Sequence, residues 1–202
     1  MSQIWYAAFS EDFVGQAQKI FKKLDKDVIV TVWDPELVPE MLRRGVSVIL
    51  GRGATALRIR KVVDLPVVEI PIPFEDMADT LIEASRYGRN IGVIGYNNLL
   101  SGLECLNPIL NVSIRQIFAV DENDTYHQIQ KLKNEGIDVI VGGLLQTHYA
   151  RELGLPAVRI ELTDKSLSYA CQEAEKLIAT VKAATRKAEE LKTILNTTNE
   201  KY

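Results

Sequence analysis

This sequence of 202 residues contains few histidines and cysteines and has no excess of basic residues. Its two histidines and two cysteines lie far apart, without the spacing typical of metal ligands. Acidic residues outnumber basic ones by 27 to 24, and no clustered positive charge suits nucleic acid or an anionic membrane. No segment approaches the roughly 18 uncharged apolar residues of a membrane span, and the opening MSQIWYAAF lacks a signal peptide's basic flank. We therefore expect a cytoplasmic protein with reduced thiols, no metal and no other cofactor.

Sequence motifs of common enzymes are also missing. The sequence has no Walker-type phosphate loop, no dinucleotide fingerprint and no nucleophile-elbow serine. A two-lobed racemase would need a reactive cysteine at equivalent strand ends of both halves, whereas Cys105 and Cys171 fall in predicted helices. His148, in the first turn of a predicted helix, is more typical of a cap or surface group than of a catalytic base. The sequence therefore predicts binding without a catalytic residue.

Short apolar runs alternate with longer amphipathic stretches along the chain. Several runs are continuously hydrophobic (VSVIL, IGVIG and VIVGG), which is typical of parallel strands covered by helices on both faces. Such regular alternation predicts an α/β fold with right-handed crossovers. Strands are predicted at residues 4–9, 28–32, 46–50, 67–70, 91–95, 113–119, 139–142 and 157–162, and helices at 12–24, 37–44, 55–63, 75–87, 99–110, 124–135 and 147–153.

The same order of elements occurs twice. In each half the third and fourth strands are joined by a Gly-rich turn, a short helix and a Leu-Pro pair. We therefore predict two tandem α/β/α lobes, each with a four-stranded parallel sheet, over residues 1–87 and 88–165. Residues 166–202 form a C-terminal helix that packs back on the lobes and then leads outward, ending near residue 195. Hinges between the lobes are expected near residues 87–90 and 163–166.

The loop Gly51–Thr55 follows the third predicted strand and is the clearest candidate for a binding site. Ligands in parallel α/β sheets lie outside the carboxyl ends of the strands. The glycines let the backbone approach a ligand, and Arg52 carries the planar fork that matches a carboxylate. The same residues also suit a plain turn with a capped helix and a surface arginine. On the binding interpretation, Arg52, Gly53 and Thr55 form an anion cradle.

Two loops of the second half complete the predicted site. The loop at residues 95–98 occupies the position that Ser10 has in the first half, and its hydroxyl and amides suit hydrogen bonds, although Asn is equally common in turns. The loop at residues 142–147 is the repeat partner of the arginine loop. The predicted ligand-binding residues are Ser10, Arg52, Gly53, Thr55, Tyr96, Asn97, Gly143 and Thr147.

Three motifs together resemble a known family. They are R-G-x-T-A (Arg52 to Ala56), V-x-E-I-P (Val67 to Pro71) and G-V-x-G-Y-x-N-x-x-x-G-L-E (Gly92 to Glu104). The chain is similar, from about residue 1 to about residue 183, to the N-terminal receptor domains of propionate-catabolism activators, which are bacterial regulators of the NtrC class. Residues in two loops depart from the family pattern. Gly51 stands where members usually carry a serine, and Leu144 and Leu145 make the second-lobe loop apolar.

The resemblance implies a chelatase-like fold and an effector domain that binds a small tricarboxylate, which is 2-methylcitrate for the propionate-catabolism activators. It also implies that ligand binding controls a downstream ATPase that acts on the alternative-sigma-factor polymerase, beside a helix-turn-helix DNA-binding domain. Neither domain is in these residues. The final helix could also pair with a second copy of the chain to give a homodimer. Two other interpretations stay open: a chelatase-like lyase or isomerase with His148 as acid–base, and a purely structural dimerisation module.

Overall fold

The computed structural model describes residues 3–96 and 101–199, with side chains through residue 194. Eight strands form two all-parallel sheets of four, in the orders β2-β1-β3-β4 and β6-β5-β7-β8. The strands are β1 (Ile4–Ala8), β2 (Val28–Val32), β3 (Val48–Gly51), β4 (Val67–Glu69), β5 (Asn90–Gly95), β6 (Ser113–Phe118), β7 (Val139–Gly142) and β8 (Ala157–Arg159). The helices are α1 (Glu11–Lys23), α2 (Val38–Arg43), α3 (Ala54–Arg60), α4 (Phe74–Ala84), α5 (Asn107–Leu110), α6 (Glu122–Asn134), α7 (Leu144–Glu152) and α8 (Asp164–Asn199), with 3₁₀ helices at Pro35–Leu37 and Leu103–Leu106.

The predicted fold class is confirmed: two tandem four-stranded parallel sheets with interleaved helices and a long C-terminal helix. The central strands β1 and β3 are buried along their whole length because helices cover both faces of the first sheet. The same arrangement buries β7 in the second sheet. Equal strand order in both sheets reflects the repeat in the sequence.

The predicted helix at residues 99–110 is only partly confirmed in its described part. Gly102 has a φ of 80°, which a right-handed helix does not allow, so helical structure begins only with the 3₁₀ helix at Leu103. One α-helical turn follows and ends at Asn111, which is left-handed with a φ of 53°. Cys105 therefore lies on a 3₁₀ helix, where it is exposed. Residues 99 and 100 of that prediction lie outside the described part of the chain.

Two other predicted helices are longer than expected. Helix α7 begins at Leu144, directly after its N-cap Gly143, so residues 144–146 belong to its first turn and not to a loop. Helix α8 continues to Asn199, past the predicted end near residue 195. Every described side chain from residue 179 to residue 194 is exposed, so this part of α8 projects from the body of the protein.

The last helix of each half packs on the sheet of the other half. Helix α4 follows the first sheet in the chain, yet its buried residues Met77 and Leu81 join the core on the second sheet with Ile91 and Val139. Helix α8 follows the second sheet and packs through its buried face on the first sheet. The residues of α8 that join the first core are Leu167, Ala170, Cys171 and Ala174.

The chain therefore crosses between the lobes in the segments 70–73 and 160–163, each between a fourth strand and the helix that follows. These crossings are tied to each other. The Thr163 hydroxyl donates to Asp76 Oδ2 at 2.5 Å, and Lys165 pairs with Glu75 at 2.8 Å. The domain limits at residues 87 and 165 stay predictions, but the first crossing between the sheets lies earlier than residue 87. Along the described ranges, no helix is long and apolar enough to cross a membrane.

Candidate functional site

A cavity of about 90 Å³ lies between the two lobes. Its walls come from the carboxyl ends of strands in both sheets and from the first turns of α3 and α7. This is the place where parallel α/β sheets bind ligands, because loops and not helices cover the strand ends there. The lining residues are Tyr6, Ala7, Phe9, Phe13, Arg52, Gly53, Ala54, Thr55 and Ile72 from the first half, and Ile94, Gly95, Tyr96, Gly143, Leu144, Leu145, Gln146 and Ile160 from the second.

Arg52 follows β3 and reaches across the cavity to the second lobe. Its Nη1 donates to the carbonyl oxygen of Glu161 at 3.0 Å, and its Nη2 to that of Ile160 at 3.2 Å. Loss of solvent around the guanidinium lowers the pKa of Arg52, and nearby Tyr6 opposes that shift. Among the described residues, no carboxylate oxygen lies within 4.0 Å of this guanidinium. The cation at the cavity therefore has carbonyl partners but no paired counter-charge.

Tyr6 is a lining residue that the sequence did not reveal. Only 3% of it is exposed, and its ring packs edge-on against Phe21 at 6.0 Å. Burial raises the pKa of Tyr6 to about 12, while neighbouring Arg52 acts in the opposite direction. Tyr6 stands in the middle of β1, where an aromatic residue is indistinguishable in sequence from an ordinary core residue. At neutral pH it offers the cavity a neutral phenol.

Gly53 and Tyr96 are in contact between the lobes at the site. A Cβ on Gly53 would lie 3.3 Å from Cδ2 of Tyr96. The Tyr96 hydroxyl pairs with Thr125 Oγ1 at 3.1 Å, and Thr125 in turn donates to the carbonyl of Asp121 at 2.8 Å. Because the Thr125 proton is used, Tyr96 is the donor to Thr125. Tyr96 thus lines the cavity with its ring, while its hydroxyl is bonded inside the second lobe.

The second lobe contributes the first turn of α7. Gly143, Leu144, Leu145 and Gln146 line the cavity, and Gln146 is only 3% exposed. Gln146 packs against Gly142, where a Cβ would lie 2.5 Å from Cβ of Gln146, so Gly142 has to be glycine. The sequence had indicated this loop, with Gly143 and Gln146 as possible donors and Leu144 and Leu145 as apolar residues. Helix α7 begins at Leu144, three residues before its predicted start, and the side chains of this first turn face the cavity.

Thr147 and Thr55 are equivalent in the repeat but differ in position. Thr147 is fully buried and does not line the cavity. Its hydroxyl is bonded to the carbonyls of Gly143 and Leu144, both at 3.0 Å, so its role in the structure is local. Thr55 lies in the first turn of α3 and does line the cavity, with 4% of its surface exposed.

Ser10 and Asn97 complete the predicted set. Ser10 is the N-cap of α1, but its side chain makes no capping bond, and its buried hydroxyl lacks a partner within the described ranges. It lies beside the cavity, whereas its neighbours Phe9 and Phe13 line it. Asn97 lies outside the described residues.

Charged side chains stand behind the two phenylalanines. Arg58 lies over the ring of Phe9 at 5.9 Å, and Arg159 lies over the ring of Phe13 at 5.5 Å. Arg58 is paired with Glu122 of the second lobe. These arginines therefore lie outside the aromatic walls.

His148 lies away from the cavity. It is exposed on α7, where its Nε2 lies 3.4 Å from Oε1 of Glu152, one helical turn further along. It is not among the residues that line the cavity, so it does not face Arg52 across the cleft. Over the described part of the chain, no group of three or more His, Cys, Asp or Glu side chains could hold a metal ion.

The fold and its cleft are those of a sensor domain of a transcriptional regulator. The chain is similar to the crystal structure of an NtrC family transcriptional regulator from Clostridium acetobutylicum, with 25% identity over 88% of this chain and 96% of that one, and a TM-score of 0.72. Residues 34–184 match the pattern that defines the family described as propionate catabolism activator, and the chain belongs to that family. The resemblance inferred from the three sequence motifs is thus confirmed.

More distant similarity extends to two ligand-bound structures. A periplasmic solute-binding protein of an ABC transporter from Actinobacillus succinogenes, with bound D-allose, is 14% identical over 88% of this chain and 90% of that one, with a TM-score of 0.41. A LacI family transcriptional regulator from Enterococcus faecium, with bound ribose, is 12% identical over 76% of this chain and 73% of that one, with a TM-score of 0.38.

Proposed function

We propose that this sensor domain binds a small organic acid in the cavity between its lobes and performs no chemistry on it. One observation carries the proposal: Arg52 stands at the cavity, bonded to two carbonyls and paired with no carboxylate of the described chain. A partly buried cation without a counter-charge is costly. A ligand carboxylate would supply that charge and match the planar guanidinium with two hydrogen bonds.

Neutral polar groups around Arg52 support the same assignment. Tyr6, Thr55 and Gln146 all line the cavity, and each can form hydrogen bonds with a carboxylate or a hydroxyl. The exposed position of His148 removes the strongest candidate for an acid–base catalyst. We therefore favour binding over a lyase or isomerase activity.

The lobes offer a mechanism for reporting the bound state. Arg52 belongs to the first lobe and holds carbonyls of the crossing segment 160–163, which leads directly into α8. A carboxylate that draws Arg52 from those carbonyls changes the balance between open and closed lobes, in proportion to its differential affinity for the two states. The two crossings, at residues 70–73 and 160–163, would act as the hinge. The projecting end of α8 would carry the change outward.

What lies beyond this domain follows from the family. NtrC-family regulators combine such a domain with other regulatory domains, and we propose that α8 acts on an ATPase that serves the alternative-sigma-factor polymerase, beside a helix-turn-helix domain. We place the protein in the cytoplasm. We assign this domain no direct contact with nucleic acid or membrane, and a second copy of the chain could pair along α8.

The test is a thermal-shift screen of mono-, di- and tricarboxylates on the wild type, Arg52→Ala and Arg186→Ala. Arg186 lies on the exposed part of α8 and is the matched control. A ligand at 100 times its Kd adds about 2.7 kcal/mol to the free energy of unfolding. We expect one class of acid to raise the Tm of the wild type and Arg186→Ala but not that of Arg52→Ala. Arg52→Gln, which keeps a hydrogen-bonding side chain, guards against loss of folding. If no acid raises the Tm, the proposal is wrong.

A further inference from the structure

The cavity has one positive charge for a ligand. Among its described lining residues, Arg52 alone is ionised at neutral pH. The four undescribed residues after Tyr96 are Asn97, Asn98, Leu99 and Leu100, which carry no charge either. A single guanidinium neutralises a single carboxylate.

Other arginines near the cavity are already paired. Arg159 forms two hydrogen bonds with Glu161, at 2.8 and 3.0 Å, behind the ring of Phe13. Arg58 is paired with Glu122 behind the ring of Phe9. These two arginines are therefore already neutralised and offer no second positive charge to a ligand.

The rest of the cavity wall is apolar. Its aliphatic and aromatic residues, spread over both lobes, are Ala7, Phe9, Phe13, Ala54, Ile72, Ile94, Leu144, Leu145 and Ile160. A carboxylate placed against these side chains would lose its hydration without gaining a partner. An alkyl or aryl group there would instead be stabilised by leaving water.

From this distribution we propose that the effector is a monocarboxylate with a compact apolar body, not a dicarboxylate or tricarboxylate. The inference rests on the proposed function, because it takes Arg52 as the anchor of the ligand. The carboxylate lies at Arg52 and Tyr6, and the apolar body lies against Leu144, Leu145 and the phenylalanines. The Gln146 amide, 3% exposed, accommodates one additional polar substituent such as a hydroxyl or keto group.

The first experiment is isothermal titration calorimetry of the whole chain with butyrate, succinate, citrate and 2-methylcitrate. Butyramide is the uncharged control. We expect butyrate to bind at least about tenfold more tightly than succinate, which differs by a second carboxylate. Butyramide is expected not to bind, and Arg52→Ala is expected to abolish the binding of butyrate.

Chain length provides an independent measurement. From acetate through propionate to butyrate, affinity should rise about fourfold for each methylene, the factor that corresponds to burying one CH₂ group. The gain stops at the acid that fills the cavity. Affinity that does not change with chain length would contradict an apolar subsite.

The two proposals fail in different ways. If succinate, citrate or 2-methylcitrate binds more tightly than every monocarboxylate and Arg52→Ala abolishes that binding, the proposed function stands and the monocarboxylate inference is wrong. If none of these acids binds, both are wrong.

A gain-of-function variant sharpens the distinction. Leu145→Arg places a second cation beside the cavity and is expected to raise the affinity for succinate relative to butyrate by at least about tenfold. Leu191→Arg adds the same charge on the exposed part of α8, away from the cavity, and is expected to retain the preference for butyrate. An unchanged ratio in a folded Leu145→Arg protein would contradict the assignment of the apolar subsite.

Discussion

Gly53, the N-cap of α3, rests against the ring of Tyr96, the residue after β5, and this contact between glycine backbone and an aromatic ring joins the two lobes. A Cβ on Gly53 would lie 3.3 Å from Tyr96 Cδ2, closer than most side-chain contacts. The residue also has φ 52° and ψ −124°, a combination that side chains rarely permit. Glycine at this position is therefore required both by the backbone and by the neighbouring lobe.

Gly53→Ala is the first prediction. We expect it to lower the free energy of unfolding by about 1–3 kcal/mol, because alanine is strained in this backbone conformation. Gly15→Ala is the matched control, since Gly15 lies inside α1 with open space around it. That change should raise stability by about 0.5–1 kcal/mol. Urea unfolding followed by circular dichroism measures both, and equal effects of the two changes would contradict this account of Gly53.

The second prediction concerns alkaline pH. The folded-state pKa of Tyr6 is about 12, above its ordinary value of 10.0, so the unfolded chain loses this proton first. The contribution of Tyr6 to stability is therefore complete below pH 10 and lost as pH rises toward 12. By pH 11 the loss is roughly 1 kcal/mol. Urea titrations at pH 9 and 11 should show a smaller loss for Tyr6→Phe than for wild type. The exposed Tyr169→Phe is the matched control and should keep the wild-type loss.

Thiol reactivity is the third prediction. Cys105 is exposed, whereas Cys171 is fully buried on the packed face of α8, where burial raises the pKa of its thiol to about 11. Because the thiolate is the reactive form, native protein at pH 8 should react rapidly with Ellman's reagent at Cys105 alone. In denaturant both cysteines should react. Cys105→Ser should remove the fast reaction, and a fast reaction that survives in this variant would show that Cys171 is accessible.

Helix α8 leads to the fourth prediction, a pair of truncations. A chain that ends after Ala184 keeps the packed residues Leu167 and Cys171 and loses only exposed turns, so its Tm should stay close to that of the full chain. A chain that ends after Thr163 loses the helix that covers one face of the first sheet. It should fail to unfold cooperatively, because each large buried side chain removed costs about 2–5 kcal/mol. Differential scanning calorimetry distinguishes these outcomes.

The strands and their order of appearance could be predicted because buried parallel strands are continuously apolar, as in VSVIL and VIVGG. The arginine loop could be predicted because glycine and arginine have few reasons to stand together at a strand end. Tyr6, Phe9 and Phe13 could not be predicted as lining residues. An aromatic side chain that faces a cavity has the same sequence pattern as one that faces the core.

Two errors have local causes. The apolar spacing at residues 99–110 favours a helix, but Gly102 takes up a left-handed conformation and the helical structure starts again after it. The packing of α4 on the second sheet could not be predicted from the sequence, for a different reason. The spacing of Met77, Leu81 and Ala84 identifies an apolar face but says nothing about which sheet it covers. The chain passes from the first sheet to the second in residues 70–73, before α4 begins.

Because α4 and α8 each pack on the sheet of the other half, the protein can be divided into two fragments that depend on each other. A cut between Tyr87 and Gly88 gives one fragment with the first sheet and the helix of the second, and another with the reverse. Neither fragment can cover its own sheet completely, yet each carries the missing helix of the other. The halves should therefore reassemble only as a pair, with the cavity restored at their junction, and a reporter divided between them would read out its occupancy.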